Sequence, residues 1–162
     1  MRNLPFQLGD GRKRASIDTV RTILDNKGHD IVSISPGATV YDAIAEMARK
    51  EVGALLVLSG SELVGIISER DYARKVILKG KSSKETAVQE VMTPSPVTVT
   101  PSHTVDECMR IVTNKRIRHL PVVDGKELRG MVSIGDLVKT IISSQAYTID
   151  QLHTYIWADY PS

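Results

Sequence analysis

The sequence predicts an α+β fold made of two β-α-β-β-α repeats that pack through their sheets into one pseudo-symmetric module. The first observation is an internal duplication, because residues 31–76 align with residues 96–141 without a gap, at an offset of 65. The second is that each copy contains one segment with apolar residues at helical spacing and others with short continuous apolar runs. A copy of roughly 60 residues has too small a core to be stable alone, so the two should fold together.

Each copy ends in the same pattern: glycine, two apolar residues, serine, two further residues and aspartate. It reads GIISERD at residues 65–71 and GMVSIGD at residues 130–136. A lead-in segment is also repeated, VRTIL at residues 20–24 and VQEVM at residues 88–92. Its offset is 68, so the first copy contains three extra residues near positions 26–29. Other identical pairs are Val32 and Val97, Pro36 and Pro101, Thr39 and Thr104, Leu55 and Leu120, Val57 and Val122, and Gly60 and Gly125.

The first half of each copy is predicted to be a short strand and a helix. Residues 31–34 and 97–99 are the strands, and a proline that cannot continue a ladder follows each. Thr39 or Thr104 then caps a helix whose apolar residues recur at positions i, i+3, i+4 and i+7. The stripes expected to face the core are Val40, Ala43, Ile44 and Met47 in one copy and Val105, Cys108, Met109 and Val112 in the other.

The second half of each copy is predicted to be a hairpin followed by a helix. Residues 54–58 and 120–123 are apolar runs typical of buried strands. Turn residues follow each run, and the dipeptide Asp-Gly at 124–125 is a strong hairpin signal. The last helix begins after the serine of the repeated pattern. The chain thus divides into a basic arm (1–16), a first repeat (17–79), a second repeat (80–143) and a C-terminal segment (144–162).

The net charge of +2 is unevenly distributed. Residues 1–14 contain four basic residues and one acidic residue, so this arm carries +3 and the remainder carries −1. A neutral body argues against a protein that mainly binds nucleic acid, since affinity for the phosphate backbone needs a basic face. The arm is either a solvated tail or a docking segment.

Several other functions find no support in the sequence. No apolar run approaches the roughly 20 residues of a membrane-spanning helix, and the first residues lack the apolar stretch of a secretory signal, so we expect a cytoplasmic protein. The single cysteine, Cys108, lies on an apolar helix stripe, which favours a buried hydrophobe over a nucleophile. The four histidines show no metal-ligand spacing and no Walker-type loop is present. We therefore predict no catalytic residue and no metal site.

The order of elements, the G-h-h-S-x-x-D pattern, the LPVVDG run at residues 120–125 and the tandem duplication together resemble a pair of CBS (cystathionine β-synthase) domains, also called a Bateman module. The resemblance covers residues 17–143. The wording SERDYARKV at residues 68–76 further resembles small stand-alone bacterial CBS-pair proteins that are described as signal-transduction proteins. The resemblance implies a non-catalytic regulatory module that binds an adenosine ligand through the aspartate.

From the residues alone, the S-x-x-D pattern has two interpretations. The serine can cap the helix while the aspartate reaches back to it, although such a capping box prefers the longer Glu or Gln. Alternatively, the start of the helix attracts phosphate, and the carboxylate accepts hydrogen bonds from the two neighbouring hydroxyls of a ribose. The resemblance to CBS domains favours the ribose.

By that resemblance, each of two clefts combines the S-x-x-D pattern of one copy with the first strand and the turn before the second strand of the other copy. The adenine would lie against the apolar residues. The first cleft is predicted to contain Ser68, Arg70, Asp71, Thr93, Pro96, Val97, Ile117, Arg118 and His119. The second is predicted to contain Ser133, Asp136, Asp30, Ile31, Val32, Val52, Gly53 and Ala54.

The two clefts are predicted to differ in charge. Arg70 and Arg118 of the first align with glycines in the second. Because a guanidinium can bind phosphate through two hydrogen bonds, the first cleft should hold the more anionic ligand. The alternative for Arg118 is a solvated charge beside a strand. The extra residues near Lys27 also enter the second cleft.

The C-terminal segment carries its own signal. Thr148 and Gln151 form a plausible capping box at the start of a helix. Four of the seven aromatic residues of the chain lie in this segment, so the helix either covers its own core or forms an interface. The resemblance implies a homodimer, in which this helix latches the partner subunit or presents a surface to an effector protein.

The sequence thus predicts a sensor of adenosine nucleotides. AMP is the first candidate, with ADP, ATP and NAD as alternatives, and the ligand would bind between the copies and shift their relative orientation. Two other functions stay open. One is a protein-interaction scaffold with vestigial clefts, and the other is nucleic-acid binding through the basic arm.

Overall fold

The computed structural model describes residues 18–144, in which the same succession of elements occurs twice. The first copy contains helix α1 (Val20–Lys27), strand β1 (Ser33–Ile34), helix α2 (Val40–Lys50), strands β2 (Ala54–Ser59) and β3 (Glu62–Ser68), helix α3 (Glu69–Tyr72) and a π-helical segment (Ala73–Ile77). The second copy contains helix α4 (Val88–Val91), strand β4 (Thr93–Pro94), helix α5 (Val105–Lys115), strands β5 (His119–Asp124) and β6 (Glu127–Ser133), and helix α6 (Ile134–Ser143). The α+β class and the two repeats are confirmed. The predicted arm and the C-terminal helix lie outside the described residues.

The two long helices begin where the sequence predicts. The Thr39 hydroxyl accepts a hydrogen bond from the Asp42 amide at 3.1 Å, and the Thr104 hydroxyl accepts one from the Glu107 amide at 3.0 Å. Both hydroxyls satisfy backbone donors that have no partner within the helix. The predicted stripes face the core, since every member is buried except Ile44, which is partly buried and packs against it. No helix within residues 18–144 has the length and hydropathy of a membrane span.

The first strand of each copy is shorter than predicted. Strand β1 contains only residues 33 and 34, which pair in parallel with β2, and in the second copy only Val99 forms a bridge, with Val122. Just before β1, the Val32 carbonyl still accepts a hydrogen bond from the Leu56 amide of β2 at 3.2 Å, but the strand pairing does not extend to Ile31 or Val97. Ile31 and Val97 accordingly remain 40% and 39% exposed. An apolar run forms a strand only as far as a neighbouring strand is available for backbone pairing.

Strand β4 joins the two copies. By sequence it belongs to the start of the second repeat, but it pairs antiparallel with β3 of the first, Pro94 opposite Gly65 and Thr93 opposite Ile66. The resulting sheet has the order β1-β2-β3-β4, and the other sheet contains β5 and β6. A segment that introduces one repeat therefore forms the edge of the other repeat's sheet.

The lead-in helices are exchanged in the same way. Helix α1 contributes Val20, Ile23 and Leu24 to the core of the second copy, and α4 contributes Val88 and Val91 to the core of the first. The exchange starts at the helix caps, where the Val20 amide donates to the His103 carbonyl at 2.9 Å and the Val88 amide donates to the Ala38 carbonyl at 2.8 Å. Neither copy therefore has a complete core without the other.

The Cys108 thiol should be unreactive in the folded protein. It is fully buried on α5, and burial, helped by the negative charge of Glu107, raises its pKa to about 11. Because the thiolate is the reactive species, Ellman's reagent at about pH 8 should modify Cys108 only after denaturation. Complete reaction of the native protein within minutes would contradict this placement.

Candidate functional site

Ser68 and Asp71 form a complete capping box at the start of α3. The Ser68 amide donates to Asp71 Oδ2 at 2.9 Å, and the Asp71 amide donates to Ser68 Oγ at 3.3 Å. The same pair of bonds joins Ser133 and Asp136 at the start of α6, at 2.9 and 3.1 Å. The capping interpretation is therefore realised in both copies. It does not exclude the ribose, because the cap uses only Oδ2 and each carboxylate oxygen can accept more than one hydrogen bond. Oδ1 takes no part in the cap and lies 3.1 Å from Lys75 Nζ.

A cleft of about 400 Å³ opens beside Asp71, and we call it the Asp71 cleft. Its size is within the usual range for sites that bind small molecules. The structure brings together in it all nine residues predicted for the first cleft: Ser68, Arg70, Asp71, Thr93, Pro96, Val97, Ile117, Arg118 and His119. Lining residues that the sequence prediction did not include are Ile66, Glu69, Arg74, Lys75, Ser95 and Arg116, together with Gly53, which was assigned to the second cleft.

The exchange of segments between the copies builds this cleft. One wall is the start of α3, which follows β3 of the first copy. Pairing of β4 with β3 brings the following residues 95–97 of the second copy onto that wall. The opposite side comes from residues 116–119, between the end of α5 and β5. A molecule in the Asp71 cleft would therefore touch both copies.

The Asp71 cleft is strongly cationic. Two acidic side chains, Glu69 and Asp71, line it. They face five basic side chains, from Arg70, Arg74, Lys75, Arg116 and Arg118. Guanidinium groups suit phosphate because they donate paired hydrogen bonds and stay charged. The arrangement can therefore neutralise a ligand with several negative charges.

Two signals in the sequence could have identified the basic residues that were missed. Arg74 follows Arg70 by four positions, so the two lie on one face of a helix. Arg116 aligns with Glu51 of the first copy, a charge reversal at a position where both residues end a helix in the left-handed conformation, with φ of 54° and 55°. The difference in charge between the copies therefore extends beyond the predicted Arg70 and Arg118.

Apolar side chains form another part of the cleft. Ile66, Pro96, Val97 and Ile117 line it, and all four are partly or largely exposed. Exposed apolar side chains beside a cationic rim suit a flat aromatic base that leads to a charged group. Within residues 18–144, no three His, Cys, Asp or Glu side chains lie together in a way that would hold a metal ion.

His119 lies where the two copies meet. A Cβ atom at Gly53 would be 3.9 Å from the imidazole, so the start of β2 approaches the start of β5 here. Burial lowers the pKa of His119 from its ordinary 6.5. The positive charges of Lys27 and Arg118 lower it further, against an opposing effect of Asp136. The imidazole is therefore biased towards its neutral form.

This bias predicts a decline of stability in acid. The unfolded chain takes up the proton on His119 at a higher pH than the folded one does. The contribution of His119 to the free energy of unfolding is therefore complete above its unfolded pKa of 6.5, and it is lost as the pH falls towards the lowered folded value. Urea unfolding at several pH values should show the loss, and His119→Asn should make the decline shallower below about pH 6.5. An unchanged slope in the variant would rule out His119 as its cause.

The surroundings of Asp136 differ from those of Asp71. Lys27 Nζ donates to Asp136 Oδ2 at 2.6 Å and to the Met131 carbonyl at 2.8 Å. Burial acts to raise the pKa of Asp136, but the hydrogen bonds from Lys27 and Ser133 and the charge of Lys27 hold it below its ordinary value. A groove of about 320 Å³ that includes Asp136 is lined by residues of α1 and α6 and their ends. Among the described residues, none of the seven predicted to share a cleft with Asp136 lines that groove: Ser133, Asp30, Ile31, Val32, Val52, Gly53 and Ala54.

Comparisons with known proteins agree on one family. The CBS domain model matches residues 20–77 and 88–143. The mitochondrial CBS domain-containing protein CBSX3 of Arabidopsis thaliana is 45% identical over 127 residues, which are 75% of this chain and 62% of that protein. The chain thus spans less than two thirds of this relative's length.

Solved structures show the same fold. A protein with CBS domains from Burkholderia ambifaria is 51% identical, with a TM-score of 0.76, over 81% of this chain and 98% of that one. CBSX2, solved in complex with AMP, shares the fold at 23% identity and a TM-score of 0.66, over 79% of this chain and 99% of that one. The duplicated pattern, the exchanged lead-in helices and these matches lead to one conclusion. The chain belongs to the CBS domain family and contains a tandem pair of CBS domains.

Proposed function

We propose that this protein is a non-catalytic sensor that binds an adenosine nucleotide in the Asp71 cleft. The observation that carries the proposal is the composition of that cleft: a carboxylate held at the start of a helix, an apolar wall and five basic side chains. Each of these suits one part of a nucleotide. The AMP found in the CBSX2 complex supports the same class of ligand.

The proposed pose follows from the chemistry of the lining residues. The ribose hydroxyls donate to Asp71, whose carboxylate the Ser68 cap holds in place. The base lies against Val97 and Ile117, and the phosphates extend towards the arginines. AMP, ADP, ATP and NAD share the adenosine part. The excess of basic side chains favours the ligands with more phosphate charge.

Signalling would use the fact that the cleft has walls from both copies. A ligand that binds one relative arrangement of the copies better than another shifts the population towards that arrangement. In our proposal a homodimer carries this change to an effector protein.

Calorimetric titration with adenosine, AMP, ATP and NAD tests the proposal. We expect AMP to bind with a Kd below about 1 mM and affinity to increase from adenosine to AMP to ATP. Arg118→Ala should weaken ATP binding about tenfold or more, since a hydrogen bond to a charged group is lost, and should leave adenosine binding nearly unchanged. Arg129→Ala is the matched control, because Arg129 pairs with Asp124 and Glu127 outside the cleft.

Two outcomes would contradict the proposal. If none of the four compounds binds below about 1 mM, the protein-interaction scaffold becomes the better interpretation. If Arg118→Ala weakens adenosine and ATP equally, the arginine does not contact phosphate, and the orientation of the ligand is wrong.

A further inference from the structure

Lys27 is placed at Asp136 by the three extra residues of the first lead-in segment. The equivalent segments begin alike, but α1 has eight residues and α4 has four. The extra turn ends at Lys27, and Gly28 follows with a φ of 99°, a conformation that favours glycine and lets the chain leave the helix. In the second lead-in the chain leaves the helix after Val91 and becomes strand β4.

The lysine replaces a strand at the edge of the second sheet. In the first copy, Ile66 of β3 is paired with Thr93 of β4. The residue that aligns with Ile66 is Met131 of β6, and its carbonyl accepts the hydrogen bond from Lys27 Nζ at 2.8 Å. The same ammonium group reaches Asp136 Oδ2 at 2.6 Å. The Lys27 side chain thus bonds β6 where β4 pairs with β3 in the first copy, and it donates to the carboxylate to which a ribose hydroxyl would donate.

We propose that Lys27 occupies the ribose position of the second cleft, so that the protein binds one nucleotide per chain, in the Asp71 cleft. The inference rests on the proposed function. A ribose that donates to both oxygens of Asp136 would have to displace the ammonium group from Oδ2, which would leave the Met131 carbonyl without this partner.

The lysine at Asp71 is a useful contrast. Lys75 Nζ lies 3.1 Å from Asp71 Oδ1 and donates to the Val91 carbonyl at 2.9 Å. It lies four residues after Asp71, in the π-helical segment that follows α3, and lines the open cleft together with every residue predicted for that cleft. Asp136 instead shares its groove with Lys27 and with residues of α1 and α6. A lysine beside the carboxylate therefore leaves room for a ligand in one copy and takes its place in the other.

Calorimetric titration with AMP, with the number of sites as the readout, tests the inference. We expect one equivalent per chain for the wild type and two for Lys27→Met, which keeps the apolar stem and removes the ammonium group. Adding Asp136→Asn to that variant should return the number to one. Lys27→Gln is a second variant, because its amide can still donate to the Met131 carbonyl and so keep this stabilising hydrogen bond. Lys50→Met, at the exposed end of α2, is the matched control for the loss of a lysine and should keep one site.

The outcomes separate this inference from the proposed function. If the wild type binds two equivalents, or if both Lys27 variants fold and still bind one, the blocking role of Lys27 is wrong while nucleotide binding stands. If neither the wild type nor any variant binds AMP, the proposed function fails, and the inference fails with it.

Discussion

Replacing Asp71 with asparagine should weaken AMP binding by about 100-fold. In the proposed pose, the carboxylate accepts hydrogen bonds from both ribose hydroxyls, and bonds to a charged group contribute about 1.5–3 kcal/mol each. Asparagine keeps the shape and one oxygen but loses the charge and the second acceptor. Because a factor of ten in affinity corresponds to about 1.4 kcal/mol, the loss should reach two powers of ten in the Kd from calorimetry.

The control must separate a lost ligand contact from a lost helix cap. Glu107 has the same capping position in α5, where it reaches back to Thr104 outside the Asp71 cleft. Glu107→Ala should cost about 1 kcal/mol of unfolding free energy, as the loss of a cap does, and should leave the Kd for AMP unchanged. If Asp71→Asn and Glu107→Ala affect AMP binding alike, Asp71 acts only as a cap.

Replacing Gly65 with valine should lower the unfolding free energy by about 3 kcal/mol, because the position is overpacked. A Cβ atom there would lie 2.5 Å from Met92 Sδ and 3.0 Å from the Thr93 carbonyl oxygen, so the Met92 side chain would have to turn away and the backbone of β4 would have to shift. Gly130 has the same role in the second copy, where a Cβ would meet Leu24 at 3.0 Å. The glycine of the repeated pattern therefore provides space for the exchanged lead-in segment.

Chemical denaturation monitored by circular dichroism measures this effect. Gly37→Val is the matched control, since a Cβ at Gly37 meets nothing within 4 Å. The control should change the unfolding free energy by less than about 1 kcal/mol, the usual range for open surface positions. Equal midpoints for Gly65→Val and Gly37→Val would show that the lead-in segment does not press on β3 as described. Because Gly65 pairs with β4, which carries one wall of the Asp71 cleft, Gly65→Val should also weaken AMP binding.

Much of the fold could be predicted because the two copies confirm each other. A threonine cap followed by an apolar stripe at residues 40–47 is a local signal, and its repetition at residues 105–112 makes a chance pattern improbable. The exchange of α1 and α4 could not be predicted in the same way. Alignment of VRTIL with VQEVM shows that the two segments are equivalent, but it does not say which core each one enters.

The candidate site also contains features that the sequence could predict and features that it could not. The nine residues predicted for the first cleft do line one cleft, and their role in binding stays a prediction. Prediction for the second cleft failed to anticipate the ion pair between Lys27 and Asp136, because a long side chain at the end of an inserted turn can reach many positions. In a duplicated sequence, one copy predicts the structure of the equivalent positions in the other. That prediction fails where an insertion, here the three extra residues near positions 26–29, makes the copies differ.

The most direct test of the central claim is the map of amide chemical shifts that AMP changes in a ¹⁵N-labelled sample. Adenosine nucleotide binding in the Asp71 cleft predicts saturable shifts in three segments that line it, residues 68–71, 95–97 and 116–119, with little change around Asp136. Shifts confined to other surfaces, or no shifts at millimolar AMP, would contradict the claim.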